Sequence, residues 1–311
     1  METRSLGASG LRVSLVGLGC NQFGGRLDFA GTKAVVDRAL DLGITHFDSA
    51  DIYGNRGGSE ELLGRALGAR RKDIVLVTKF GKPMSDSPPA RRGARAYVKS
   101  AVEASLKRLK TEWIDLLFMH EPDPGTPIEE TFEAIGELEK EGKVRHLGAS
   151  NFSAAEMISA DAAADRIKAE GFIGSQDEYS LLARGIEKEL LPALTKLDVA
   201  LVPYFPLAGG ALSGKYRKGR PIPEGRLKSG AGYNERFLGG GKFETVEKLA
   251  AFAEARGHTL LDLAMSWLAA RPQVASIIAG ATRPEQLDAN VAAVGWKLSA
   301  AEMAEVDEIT G

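Results

Sequence analysis

The sequence predicts an α/β chain of 311 residues folded as a single (β/α)8 barrel domain, residues 1–311, with an N-terminal β-hairpin cap and extra C-terminal helices. Two observations carry that expectation. Eight short apolar, β-branched runs recur along the chain, each followed by a longer stretch with helical periodicity, which is the pattern of strand-helix units around a parallel sheet. No linker separates the units, which favours one closed barrel over a doubly wound sheet with a second domain.

In order along the chain, the opening stretch TRSLGASGLRVS reads as a hairpin turning at Gly7 to Gly10 that plugs one end of the barrel. The eight strands are expected at 14–20 (SLVGLGC), 45–50 (THFDSA), 74–80 (IVLVTKF), 114–120 (IDLLFMH), 145–150 (RHLGAS), 174–180 (GSQDEYS), 200–206 (ALVPYFP) and 275–281 (ASIIAGA). The sixth is polar and the least strand-like of the eight. After the third, Val98, Ala101, Val102, Ser105, Leu106 and Leu109 fall at three- and four-residue spacing while Lys99, Glu103 and Lys107 face away, as in a barrel-covering helix. After the fourth, TPIEETFEAIGELEKEGK opens with Thr126 and Pro127 as N-cap and first-turn residue, carries acids in its first turn and stops at Gly142. The stretch from Gly209 to Lys242 breaks the alternation; its Gly, Pro, Lys and Arg without periodicity predict a lid or binding loop.

Composition narrows the function. With 40 basic and 42 acidic residues mixed along the chain, no basic stripe is available for nucleic acid or an anionic membrane, so a small-molecule partner is expected. Cys20 is the single cysteine, which excludes an intrachain disulfide and a thiolate zinc site and suits a reducing compartment. No run approaches a membrane span and the start lacks a basic segment followed by an apolar one, so a cytoplasmic protein is expected. Nothing in the loops is a signature of oligomeric state.

Barrel enzymes place their chemistry at the C-terminal ends of the strands. There the second strand ends on Asp48 and leads to Tyr53, the third ends on Lys79, the fourth on His120, and the fifth runs into Ser150 and Asn151. A buried lysine between an acid and a phenol suits pKa tuning, because the ammonium favours phenolate over phenol. Three other motifs fail. GGALSGKY fits a phosphate-binding loop up to Lys215, but Tyr216 stands where Ser or Thr must ligate magnesium and no helix can follow. GLGCNQFGG lacks the third glycine of a Rossmann fingerprint, with Gln22 in its place. His46 and Asp48 share a strand face without a third ligand at suitable spacing, so no metal is expected.

FDSADIYG, VTKF, LLFMH and GASNF, in that order and at those intervals, resemble the aldo-keto reductase family, and YFPLAGGALSGKY and IIAGATRPEQLDAN resemble its two cofactor segments. The resemblance covers nearly the whole chain. It implies an NAD(P)H-dependent oxidoreductase that reduces aldehydes or ketones to alcohols with a catalytic tetrad of Asp48, Tyr53, Lys79 and His120. Tyr53 is then the proton donor, Lys79 and Asp48 tune it, and His120 orients the carbonyl oxygen. By position, Ser150, Asn151 and Gln176 hold the nicotinamide carboxamide and Tyr204 stacks on its ring. Leu207, Gly209, Gly210, Leu212 and Lys215 follow the pyrophosphate. Gly280, Thr282, Arg283, Gln286 and Asn290 surround the adenosine ribose, and Arg283 suits a 2′-phosphate, which favours NADPH (NADP+) over NADH.

Two positions depart from the family pattern: Phe205 stands where many members have serine, and Ala289 where an acid is usual. The substrate pocket is expected to include Asn21, Gln22, Phe23 and the 84–93 loop, around a small carbonyl or alcohol whose identity the sequence does not give. A competing expectation is a cofactor-binding sensor or regulatory subunit of the same fold, as in potassium-channel β subunits. Lys79 as a Schiff-base nucleophile is disfavoured by Asp48, since a paired acid stabilises the ammonium.

Overall fold

The computed structural model describes residues 1–217, 219, 221, 223, 227–228 and 232–311. Strands β1 (Thr3–Ser5) and β2 (Arg12–Ser14) pair antiparallel around a 3-10 turn at Gly7–Ser9, so the expected hairpin is present. Eight parallel strands follow: β3 (Val16–Gly19), β4 (His46–Asp48), β5 (Val75–Phe80), β6 (Leu116–Met119), β7 (Leu147–Ser150), β8 (Gly174–Gln176), β9 (Ala200–Leu201) and β10 (Ile277–Gly280). They hydrogen-bond in the order β10-β3-β4-β5-β6-β7-β8-β9. The ring closes where Leu201 pairs with Val274: Leu201 N donates to Gln273 O at 2.7 Å and Ala275 N to Leu201 O at 2.9 Å.

Helices cover the outside: α1 (Phe29–Asp41), α2 (Tyr53–Leu67), α3 (Arg95–Leu109), α4 (Ile128–Lys140), α5 (Ala154–Ile167), α6 (Leu190–Leu197), α7 (Tyr233–Leu238), α8 (Lys242–Glu254), α9 (Leu260–Ala269), α10 (Pro284–Ala292) and α11 (Ala300–Thr310). Their starts are chemically marked. Ser153 with Glu156, Thr259 with Asp262 and Ser299 with Glu302 form reciprocal capping boxes at α5, α9 and α11, satisfying orphan backbone N–H groups. At α4 the cap expected from Thr126 falls to Pro127 instead; the Thr126 hydroxyl donates to Asp123 Oδ2 at 2.7 Å and closes the preceding loop. The extra helices are α7 and α8, inserted before α9, and α11 at the C-terminal end.

The strands are shorter than their apolar runs: β3, β6, β7 and β10 lose two residues at their starts, and β4, β8 and β9 lose two or more at their ends. The sixth run is strand only over Gly174–Gln176, after which Glu178 makes a single bridge to Tyr204. The 209–242 stretch is not structureless: a 3-10 helix covers Ala208–Ser213 and α7 covers Tyr233–Leu238. Residues 218, 220, 222, 224–226 and 229–231 of that expected loop lie outside the described residues.

Alternation along the strands separates two cores. Phe47, Leu76, Leu117, Leu147, Leu201 and Ile277 point outward into the layer under the helices. Val75, Val77, Leu116, Phe118, Val202 and Ile278 point inward, and Leu6 and Val13 of the hairpin close that inner cluster from below. Phe118 fills the barrel axis because its neighbour on β7 is Gly148, where a Cβ would lie 2.4 Å from the ring. That ring, fully buried, contributes on the order of 1.5–3 kcal/mol.

Candidate active site

The same alternation builds the site. One step beyond the apolar inward positions, the next inward residues at the C-terminal end are Gly19 (β3), Asp48 (β4), Lys79 (β5), His120 (β6), Ser150 (β7), Gln176 (β8), Tyr204 (β9) and Gly280 (β10). Sheet register sets them side by side, with Gly19 opposite Asp48, Ser150 opposite Gln176 and Gly280 opposite Gly19. All but Lys79 line one open cavity of about 1160 Å³ across the barrel mouth. Lys79 is fully buried directly beneath it.

Lys79 Nζ donates to Asp48 Oδ1 at 2.6 Å and to Ser49 O at 2.6 Å, and lies 5.0 Å from the centre of the Tyr53 ring. Asp48 Oδ2 accepts from Gln176 Nε2 at 2.8 Å, so the acid links the ammonium to the expected nicotinamide pocket. Burial works against the Lys79 charge, but Asp48 and the neighbouring phenol outweigh it, and its pKa rises. This ammonium is no amine nucleophile at neutral pH. Burial also raises Tyr53, against the downward pull of Lys79. The sequence reading expected net tuning downward. In the protein desolvation wins, so Tyr53 stays a protonated phenol and Lys79 only limits the rise.

His120 meets Tyr53 edge to face, with ring centres 5.8 Å apart. Burial, then the charges of Lys79 and Lys82, drive its pKa down to about 2, so the imidazole is neutral. Neither ring nitrogen has a hydrogen-bond partner among the described residues, and Nδ1 is buried. A neutral ring with an open nitrogen at a cavity wall can align a carbonyl oxygen.

Tyr53 is aimed by an unusual turn. Gly54, Asn55, Arg56 and Gly57 all adopt positive φ, a left-handed turn between the phenol and the regular part of α2. At Gly54 a Cβ would lie 2.5 Å from both Phe23 O and Ser59 N, so only glycine fits. Ser59 Oγ donates to Cys20 O at 2.8 Å and lies 2.9 Å from Ser49 Oγ, fastening the far side of the turn to the strand ends.

The residues expected at the nicotinamide end interlock. Asn151, itself at positive φ, donates from Nδ2 to His120 O at 2.9 Å and to Ser150 Oγ at 3.0 Å, and accepts the Tyr204 hydroxyl at 2.8 Å. Ser150 Oγ donates to Gln176 O at 2.8 Å. Gln176 Oε1 is the acceptor left without a partner among the described residues, a fit for the NH2 of a carboxamide. Leu207, Gly209, Gly210 and Lys215 line the next part of the cavity, and Gly280, Thr282, Arg283, Gln286 and Asn290 the part after it. Leu212 does not reach it; its side chain is fully buried in the outer core and Ser213 takes the wall position. Gln286 Oε1 accepts from Thr282 N, Thr282 Oγ1 and Arg283 N at 2.7, 3.1 and 3.1 Å, so it caps α10 as well as lining the wall.

Of the residues expected around the substrate, Asn21 and Gln22 line the cavity, but Phe23 is fully buried in the core. The 84–93 loop is held off the cavity: Asp86 pairs with Arg56 at 2.6 Å, and Arg91 with Gly125 O at 2.9 Å and with Glu130. Lys82, Glu121 and Ile52 take its place. Sequence reasoning also missed Asp51. Both its carboxylate oxygens are buried without a hydrogen-bond partner, and burial with the nearby Glu60 pushes its pKa up to about 7. Glu60 accepts from Thr78 Oγ1 at 2.5 Å and Arg108 Nε at 2.6 Å directly behind the tetrad. The acid within ADIYG was legible; its desolvation was not.

The family model of the aldo/keto reductase family matches residues 15–310. A probable voltage-gated potassium channel subunit beta of Arabidopsis thaliana is 38% identical over 303 residues, 94% of this chain and 91% of that protein. An uncharacterized oxidoreductase, YrpG, of Bacillus subtilis is 36% identical over 304 residues, 94% of this chain and 91% of its own. The L-glyceraldehyde 3-phosphate reductase of Escherichia coli K12 is 34% identical over 319 residues, 99% of this chain and 92% of the enzyme.

Proposed function

The chain belongs to the aldo/keto reductase family of NAD(P)H-dependent oxidoreductases, and on that premise we propose that it reduces small aldehydes or ketones to alcohols, with NADPH preferred and Tyr53 as the proton donor. The observation that carries the reading is Lys79 Nζ, buried between Asp48 and the Tyr53 ring beneath the cavity that His120 lines. Bound cofactor supplies hydride to the carbonyl carbon. The chain's part is the oxygen. His120, kept neutral by burial, donates a hydrogen bond that holds it in line. Tyr53 gives up its proton as negative charge develops, and the Lys79 ammonium, fixed by Asp48, stabilises the phenolate left behind.

Gln176 Oε1 and the Tyr204 ring suit a nicotinamide, and Arg283 on the α10 N-cap suits a 2′-phosphate, which supports NADPH over NADH. The test is titration with NADPH and separately NADH by fluorescence, then a panel of small aldehydes while absorbance of the reduced cofactor is followed. Tight NADPH binding with aldehyde-dependent oxidation is the expected result; no binding of either dinucleotide removes the reading.

A second reading has one specific support, the relatives named as probable potassium channel β subunits. It makes the barrel a cofactor-holding regulatory subunit with little turnover. Cofactor binding without oxidation of NADPH by any aldehyde, together with a stoichiometric protein partner, would favour it.

A further inference from the structure

Among the described residues, five cationic side chains line the cavity: Arg26, Lys82, Lys215, Arg236 and Arg283. Arg236 is paired with Glu178. Among the described residues, the acids on the wall are Asp48, taken by Lys79, and Glu121, paired with Arg92 at 3.1 Å. Arg26, Lys215 and Arg283 have no ion pair among the described residues. They share one cavity wall, and burial, then the charges of Arg26 and Arg283, lower the pKa of Lys215.

Strand order explains the grouping. Lys215 follows the β9 exit, Arg283 the β10 exit and Arg26 the β3 exit, and these three strands are consecutive around the closed ring. The Arg26 loop is compact, with Arg26 N and Leu27 N both donating to Gln22 O at 3.0 Å and Gly24 N to Leu27 O at 3.0 Å. Three cations on one cavity wall, without an ion pair among the described residues, repel one another, and a polyanion between them turns that cost into attraction.

We propose that Arg26 is a phosphate-binding residue that grips the pyrophosphate of the dinucleotide from the β3 side, opposite Lys215. This rests on the cofactor reading above and adds a contact from outside the two segments that carry the family's cofactor motifs. The division of labour is specific. Arg26 and Lys215 serve the pyrophosphate, common to NADPH and NADH, whereas Arg283 serves the 2′-phosphate.

The test measures dissociation constants by fluorescence quenching for NADPH and NADH in the wild type, Arg26→Gln, Arg26→Lys and Arg283→Gln, with thermal transitions recorded for each. Loss of one charge-assisted contact is expected to weaken both dinucleotides about tenfold in Arg26→Gln, leaving their ratio unchanged. Arg26→Lys recovers most of the loss, and the salt dependence of binding becomes shallower in Arg26→Gln. Arg283→Gln instead weakens NADPH alone. Unchanged constants in a folded Arg26→Gln, or a loss confined to NADPH, overturn the proposal while the cofactor reading stands. Failure of the wild type to bind either dinucleotide overturns both.

Discussion

At Asp51 a carboxyl is buried without a partner two residues before the proposed proton donor, and its protonation is tied to folding. Its folded pKa of about 7 exceeds the ordinary 3.8, so the native state holds a proton that the unfolded chain has released between those values. Stability from this group is therefore complete below pH 3.8 and is lost as pH rises through about 7. Asp51→Asn removes that loss: in urea unfolding, its stability relative to wild type should grow between pH 5 and pH 8 by about 2–3 kcal/mol, the value of the roughly two pH units of that range lying below the folded pKa. A constant difference across that range contradicts the assignment. His46 and His120 act in the opposite sense. Held neutral at about 4 and about 2, against an ordinary 6.5, they lose stability as pH falls below 6.5. At this scale residue type, spacing and the family resemblance were enough to single out Asp48, Tyr53, Lys79 and His120, which the structure brings together at the cavity floor and wall. What was hidden is the outcome of competing effects: burial overrides Lys79 at Tyr53, and no pattern in the string announces that Asp51 loses its water.

Strand parity is the element-level fact on which the site depends, and it was readable in principle. VLVTK alternates Val75, Val77, Lys79 on one face, and LLFMH places Leu116, Phe118 and His120 likewise, so the proposed catalytic positions continue the barrel's own inward rows. Where the runs stop being strand was not readable, because strand limits are set by pairing with a neighbour and not by residue type: Glu178 and Tyr204 continue their runs yet make only a single bridge. The 84–93 loop was misjudged for a related reason: Arg56, Arg91 and their acids pull it outward through contacts far apart in sequence. The turn at 54–57 carries the sharpest element-level prediction. Gly54→Ala forces a Cβ against Phe23 O and Ser59 N in a left-handed conformation, which is expected to cost about 1–3 kcal/mol in thermal unfolding. It also displaces Tyr53, so kcat should fall while the NADPH dissociation constant holds; an unchanged kcat would show that the turn does not aim the phenol.

The whole molecule separates stability below from chemistry above. The hairpin seals the lower end, with Leu6 and Val13 completing the inner cluster that Phe118 centres. Leu6→Ala should therefore cost about 2–5 kcal/mol in chemical unfolding with dinucleotide affinity unchanged, and a loss of affinity would contradict that separation. Eight units and the cap were legible because each carries its own local pattern. Ring closure was not, since it rests on the Leu201–Val274 pairing of segments 73 positions apart and on the short bonds around it. Of the 209–242 stretch, the break in periodicity was visible but α7 was not, being a helix of 6 residues. The most direct test of the central claim, that Tyr53 protonates a carbonyl oxygen over Lys79, is single-turnover oxidation of bound NADPH by an aldehyde in Tyr53→Phe beside the wild type. NADPH binding within a factor of about two and a rate lower by roughly 10²–10⁴, the usual worth of a general acid, are expected. A rate equal to wild type in a variant that binds NADPH normally would contradict that claim.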